Sequence, residues 1–236
     1  MTGQDGRREE LAANLETVRG RIRAACEGAG RDPDEVSLVV VTKFFPESDV
    51  RLLAELGVRD VGENRHQEAS AKAAACADLG LSWHFIGSIQ SNKAAAVAAY
   101  SDVVESVDRL KLVGGLSRGA AERGRALDCL VQVSLDPPGS AGRGGAAPAD
   151  VPALAAAIAS AESLRLRGVM AVAPLGRPAL PAFERLAEVA ASLRAEHPDA
   201  RVVSAGMSGD LEEAISRGAT HVRVGSAVLG PRPGIK

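Results

Sequence analysis

Aromatic side chains are scarce: four Phe, one Tyr and one Trp make up 3% of 236 residues. Surfaces that stack bases or sugars need such rings at close intervals, so nucleic-acid strands and glycans are poor candidate ligands. A basic excess is missing too. Twenty-eight Lys+Arg against 30 Asp+Glu leave a net charge of −2, which gives no field to gather a phosphodiester backbone or an acidic membrane. The three cysteines, Cys26, Cys76 and Cys129, are far apart, odd in number and without a CxxC or Cys/His spacing. Zinc and a disulfide framework are therefore not expected, and buried reduced thiols are. No run approaches membrane-spanning length, and the polar start MTGQDGRREE lacks the apolar stretch of a signal peptide. These absences predict a cytoplasmic protein without membrane or nucleic-acid partners.

What remains is an ordinary globular balance, 46% hydrophobic and 25% charged, with abundant alanine suited to helices packed closely on a sheet. Residues 1–7 read as a loose tail. Leu11, Leu15, Val18, Ile22, Ala25 and Cys26 then form a helical stripe over 8–29, ending near Gly28 and Gly30. From there strand-like runs (37–43, 59–64, 82–88, 102–108, 127–136, 164–173, 201–206 and 221–226) alternate with helical stretches. Strict alternation implies parallel strands with crossover helices. Eight such units in about 200 residues is the size at which the sheet closes into a (β/α)8 TIM-type barrel. An open doubly wound sheet is the alternative, but its GxGxxG turn after the first strand is missing. The Gly/Pro-rich stretch DPPGSAGRGGAAPAD (136–150) reads as a loop, since the strand–helix rhythm resumes after it. The expected architecture is one α/β barrel domain over 8–236 with an extra N-terminal helix.

Chemistry in such barrels sits at the carboxyl ends of the strands. The polar strand ends are Lys43, Asn64, Ser88, Asp108, Asp136, Ser204 and the pair Arg223/Ser226. Lys43 closes the apolar run VSLVVVTK and shares parity with Val39 and Val41, so it points up the barrel axis if those two fill the interior. A strand-end lysine commonly snorkels to solvent. Held in the barrel mouth, it would lose solvation among positive neighbours, and its neutral amine could attack a carbonyl.

The segment SAGMSGDLEEAI (204–215) places Ser208 as an N-cap where backbone N–H groups can receive a phosphate, and HVRVGSAVLG (221–230) repeats the device with Gly225 and Ser226. Each alone reads as an ordinary cap, yet barrels often bind phosphate after strands 7 and 8. Arg223 lies inside an apolar strand, either paired with a buried carboxylate or donating to a ligand. Its permanent charge would keep a pyridine nitrogen unprotonated. A lysine for an aldehyde, serine-bearing turns for a phosphate and an arginine for a ring nitrogen together describe pyridoxal 5′-phosphate.

The stretches VVVTK (39–43), VGENRHQE (61–68), WHFIGSIQSNK (83–93), SVDRL (106–110), LRGVMAV (166–172), AGMSGDLEEAI (205–215) and VRVGSAVLG (222–230) resemble, in order and spacing, the pyridoxal phosphate homeostasis proteins, the YggS/PROSC family. The resemblance implies the fold of the alanine racemase N-terminal domain, with Lys43 carrying the cofactor as an internal aldimine. It also implies that Asn64 lies near the ring or its hydroxyl. Ser208, Gly225 and Ser226 would hold the phosphate with Gly206 and Met207 close by, and Arg223 would face the pyridine nitrogen. Phe44 and Phe45, Gly209 and Arg143 depart from the family pattern. His84 and Trp83 are expected to be structural, Gln90, Ser91, Asn92 and Lys93 to open a helix, and Glu63, Glu68, Glu212 and Glu213 to be solvated or paired.

Racemisation needs a base on each face of the substrate's α-carbon. The only tyrosine, Tyr100, falls at the end of a helical run, away from the strand-end face. The leading expectation is therefore a monomeric carrier that keeps the reactive aldehyde scarce and hands it to apoenzymes. A pyridoxal phosphate-dependent amino-acid racemase or lyase is the alternative. A cofactor-free barrel binding a phosphorylated metabolite is a third reading.

Overall fold

The β-branched runs and the alanine-rich segments between them build eight parallel strands, each followed by helix. The computed structural model describes residues 3–137 and 144–232. The strands are β1 (Ser37–Val41), β2 (Asp60–Glu63), β3 (Ser82–Phe85), β4 (Val103–Val107), β5 (Leu127–Gln132), β6 (Leu164–Met170), β7 (Val202–Ser204) and β8 (His221–Val224). They pair in sequence order and close, with β8 on β1 placing Arg223 opposite Val39. Around them lie α1 (Gly3–Gly28), α2 (Glu47–Glu55), α3 (His66–Ala75), α4 (Ala94–Ala98), α5 (Val113–Arg123), α6 (Val151–Ala159), α7 (Leu180–Glu196), α8 (Leu211–Ser216) and α9 (Ser226–Leu229). The closed barrel with its leading helix is the architecture expected from the alternation. Every strand is shorter than its apolar run suggested, because the polar carboxyl-end residues leave the ladder to face the rim. Of the glycine-rich loop, 138–143, including Arg143, lies outside the described residues. Its flanks are tied to β5: Ala146 N–H donates to Gln132 O and Ser134 N–H to Ala146 O.

The tail expected over 1–7 is not seen among the described residues: helix α1 is already formed at Gly3. Its first turns are held by Arg7, whose guanidinium grips Asp49 of α2 (2.7 and 3.2 Å) and donates to Leu229 O (3.0 Å). Farther along, Asn14 bonds Val228 O, and Arg31 bonds Ile215 O and Ala219 O. The stripe Leu11, Leu15, Val18, Ile22 and Cys26 is buried beneath, against Val228, Leu229 and Ile215. At about 1.5–3 kcal/mol for each large apolar side chain, that face is what holds α1 on the barrel.

Two apolar shells surround the strands. Outward-facing residues such as Val40, Val61 and Trp83 meet the helices, as expected for Trp83. Inside, Val39, Val41, Leu130 and Met170 are buried, but they share the barrel with a polar group described below. Between β5 and β6 the register slips: Cys129 faces Leu166 while Leu130 faces Gly168, leaving Arg167 as the extra residue of a bulge. Gly168 has φ +147°, and a Cβ there would stand 1.9 Å from Val202 O. Gly168→Ala should therefore force β6 and β7 apart and cost about 3 kcal/mol or more. Denaturant melts of the variant would read this loss, and a midpoint unchanged from the parent would show that the pair can relax.

Candidate functional site

Lys43 stands in the turn after β1, half-buried, beside a cavity of about 370 Å³ at the carboxyl rim. This is within the ~300–1,000 Å³ of small-molecule sites. Desolvation, with the charges of Arg232 and Arg65, lowers its pKa below the ordinary lysine value, while Glu63 opposes the shift. A larger fraction of neutral amine follows, as the sequence implied for a lysine held in the barrel mouth.

Asn64, Met207, Ser208, Arg223, Gly225 and Ser226 line the same cavity as Lys43. Four segments distant in sequence thus converge because the barrel brings every strand end to one rim. Gly206 does not line it. With φ +91° it turns the chain out of β7, and its carbonyl accepts from Arg223 N–H (2.9 Å). Ser208 is not the N-cap of α8; Asp210 holds that position, and its carboxylate turns back to accept from Met207 N–H (2.6 Å). Ser208 and Ser226 instead face one another, 3.5 Å between hydroxyl oxygens. Gln90 precedes the short turn Ser91–Lys93 that opens α4, and none of 90–93 reaches the cavity. Ser88 and Asp136 line an adjoining cavity that shares Asn64, Ile86 and Val172 with the first.

Arg223 turns inward, and its surroundings fill the barrel. It donates to Ser204 Oγ (2.6 Å) and Ala171 O (2.7 Å), with Glu105 Oε2 3.7 Å away. Glu105 in turn accepts from Ser204 Oγ (2.6 Å) and pairs with His84 Nδ1 (2.7 Å), whose Nε2 lies 3.2 Å from Asp60. Burial alone would raise the Glu105 pKa, but His84, Arg223 and Ser204 bring it down to about 2. Burial would lower that of His84, yet Asp60 and Glu105 lift it to about 9. Desolvation lowers the Arg223 pKa, partly offset by Glu105. His84 is thus structural, as its sequence context implied. Glu105 was not anticipated, although a carboxylate in the middle of the strand run DVVESVD was its signal.

Glu63 and Glu68 are not free surface charges. Glu63 is buried in β2, where Thr42 Oγ1 (2.6 Å) and Lys72 Nζ (2.8 Å) both donate to its Oε1, and Lys72 also donates to Glu68 (2.7 Å). Lys72 was missed, although its spacing from Glu68 is that of a helical ion pair. Glu212 pairs with Arg21. Phe44 takes φ +72°, and the guanidinium carbons of Arg65 and Arg232 each lie over its ring, 4.9 Å from the centroid. The sequence did not single out those arginines. Tyr100 stacks on His66 and does not line the Lys43 cavity.

The residues fit a phosphorylated heteroaromatic aldehyde on an independent observation: Asn64 Oδ1 is buried in this cavity wall and has no hydrogen-bond partner. An acceptor left open in a polar cavity is one a ligand donor would fill.

The comparisons with known proteins converge. The family model described as alanine racemase, N-terminal domain matches residues 9–233. A pyridoxal phosphate homeostasis protein of Mycobacterium leprae is 42% identical over 246 residues, covering 97% of this chain and 95% of that protein. One of Pseudomonas aeruginosa is 45% identical over 225 residues, covering 94% and 96%. Among solved structures, PipY of Synechococcus elongatus, with PLP bound, superposes with a TM-score of 0.81 at 34% identity, over 93% of this chain and 100% of that one.

The His84 pair carries a pH signature. Because the folded pKa stands at about 9 against 6.5 in the unfolded chain, its contribution is complete below pH 6.5 and is lost as pH rises through about 9. The size is ~3 kcal/mol. Thermal midpoints should fall across that window, and His84→Gln should flatten the fall. Parallel slopes in parent and variant would place the loss elsewhere.

Proposed function

We propose a function from one premise: the chain belongs to the family of the pyridoxal phosphate homeostasis proteins, built on the alanine racemase N-terminal domain. It binds pyridoxal 5′-phosphate, covalently through Lys43, and serves intracellular vitamin B6 homeostasis as a monomeric cytoplasmic carrier that can pass the coenzyme to apoenzymes. Among the described residues no helix is long and apolar enough to cross a membrane, consistent with that setting.

The observation that carries this reading is the convergence on one cavity of a lysine with lowered pKa, two facing serines and an inward arginine. The coenzyme supplies an aldehyde that condenses reversibly with a neutral amine, releasing water. Lys43 provides that amine. Ser208 and Ser226, with the backbone around Gly209 and Gly225, hold the phosphate. The two hydroxyls matter more here than helix dipoles, because α8 and α9 span only six and four residues. Met207 contributes side-chain packing only, its N–H being committed to Asp210. Asn64 offers its open oxygen to a donor on the ligand. Arg223, anchored from behind by Ser204 and Ala171, presents a fixed positive charge to the ring nitrogen and gives up no proton.

That charge limits chemistry. A ring nitrogen kept unprotonated is a weak electron sink, which suits restricted chemistry better than broad transamination. The cavity also lacks a second base among the described residues: Tyr100 is held elsewhere. Racemase or lyase chemistry therefore finds no support in the arrangement of side chains.

Purified protein saturated with pyridoxal 5′-phosphate should show near-visible absorption, and borohydride reduction with peptide mapping should find the adduct on Lys43. Lys43→Ala should abolish both. An adduct confined to another side chain rejects the assignment. Incubation with single amino acids in D2O should give no α-proton exchange at catalytic rates, and rapid Lys43-dependent exchange would make it an enzyme.

A further inference from the structure

Behind Lys43, on the side away from the cavity, a second lysine is buried. Lys72 comes from α3, and its ammonium places all three of its donors: Thr42 O at 2.8 Å, Glu63 Oε1 at 2.8 Å and Glu68 Oε1 at 2.7 Å. The same Glu68 oxygen accepts Phe44 N–H at 2.7 Å, and the same Glu63 oxygen accepts Thr42 Oγ1 at 2.6 Å. The residues immediately before and after Lys43 are thus tied, one directly and one through Glu68, to a single ammonium.

Thr42, Glu63 and Lys72 are all buried, so water cannot replace these bonds cheaply. Phe44 also needs an external hold. Its φ of +72° is one that a bulky L-residue adopts only when its surroundings impose it. Two polar contacts hold it here: Phe45 N–H closes the turn onto Thr42 O (3.1 Å), and Phe44's own N–H is taken by Glu68 (2.7 Å). An extended Phe44 would redirect the chain at the very residue that follows Lys43.

We propose that Lys72, Glu63 and Glu68 form a clamp that holds the 42–44 turn in its left-handed shape and so aims the Lys43 amine into the cavity. They are positioning residues; none of them lines the cavity. The proposal rests on the reading of Lys43 as the attachment point and adds that the ease of attachment is set from behind, by α3.

Glu68 is the member to vary, because its side chain is 25% exposed whereas removing Lys72 would leave the buried Glu63 carboxylate without its cation. Glu68→Ala and Glu68→Gln would be compared with the parent in two ways. One is amide hydrogen exchange of Phe44 without added coenzyme. The other is the rate at which pyridoxal 5′-phosphate becomes trapped on Lys43 by borohydride. In Glu68→Ala, with its melting midpoint near the parent's, Phe44 exchange should quicken about ten-fold and trapping should slow about ten-fold. Glu68→Gln keeps an acceptor for Phe44 N–H and should restore both to within about two-fold, which a loss of general stability would not do. Unchanged Phe44 exchange in Glu68→Ala overturns the clamp, whatever the coenzyme does. Faster exchange with parental trapping overturns its aiming role. A parent protein that traps nothing on Lys43 refutes the attachment reading instead, and the exchange data still decide whether the clamp exists.

Discussion

A carboxylate sealed inside a barrel must be answered, and the answer given to Glu105 organises this protein. Fully buried in β4, it reaches across the interior to Ser204 of β7, pairs with His84 of β3 and stands 3.7 Å from Arg223 of β8. An uncompensated charge there would cost several kcal/mol, so the strands carrying its partners are bound to it by more than the hydrogen-bond ladder. Arg223 gains a fixed orientation from the same arrangement. A guanidinium that faces the cavity is held from below by groups that do not touch a ligand, as a preorganised site requires.

Lys43 is governed by a different constraint, local backbone geometry. Parallel strands bring its neighbours to one rim, but its direction depends on the turn that follows β1. That turn contains Phe44, whose φ is positive and whose ring is contacted by Arg65 and Arg232. The two arginines thus serve as packing and as charge at once, since both also depress the Lys43 pKa. The cavity floor is set by long-range ion pairing, and its rim by strained chain and cation–aromatic contact.

Much of this was legible in the chain. The alternation of β-branched runs and alanine-rich segments announced the barrel, whereas Lys43 lies beyond β1 in a turn that strand parity does not govern. What escaped is what depends on partners distant in sequence. Glu63 read only as a solvated or paired charge, and its burial was not legible because the ammonium that pairs with it comes from the next helix. Glu105 is 99 residues from the serine it accepts from, a distance no local pattern spans. The start of α1 was placed too late because Arg7, in the stretch GQDGR, has no apolar signature; its partners are Asp49 and the carbonyl of Leu229. Ser208 looked like the cap of α8 because serine favours that position, but Asp210 took it by folding back on Met207.

The bond from Arg7 to Leu229 spans 222 positions, and α1 lies against α8 and α9 along its length. A ribosome delivers these partners at opposite times. Leu11, Leu15 and Val18 emerge well before Ile215, Val228 and Leu229, so the face of α1 that those residues cover stays bare until the α8–α9 region has been made. Non-local closure of this kind slows folding and exposes the nascent chain to aggregation. The barrel closes where β8 meets β1, and that seam waits until β8 has left the ribosome.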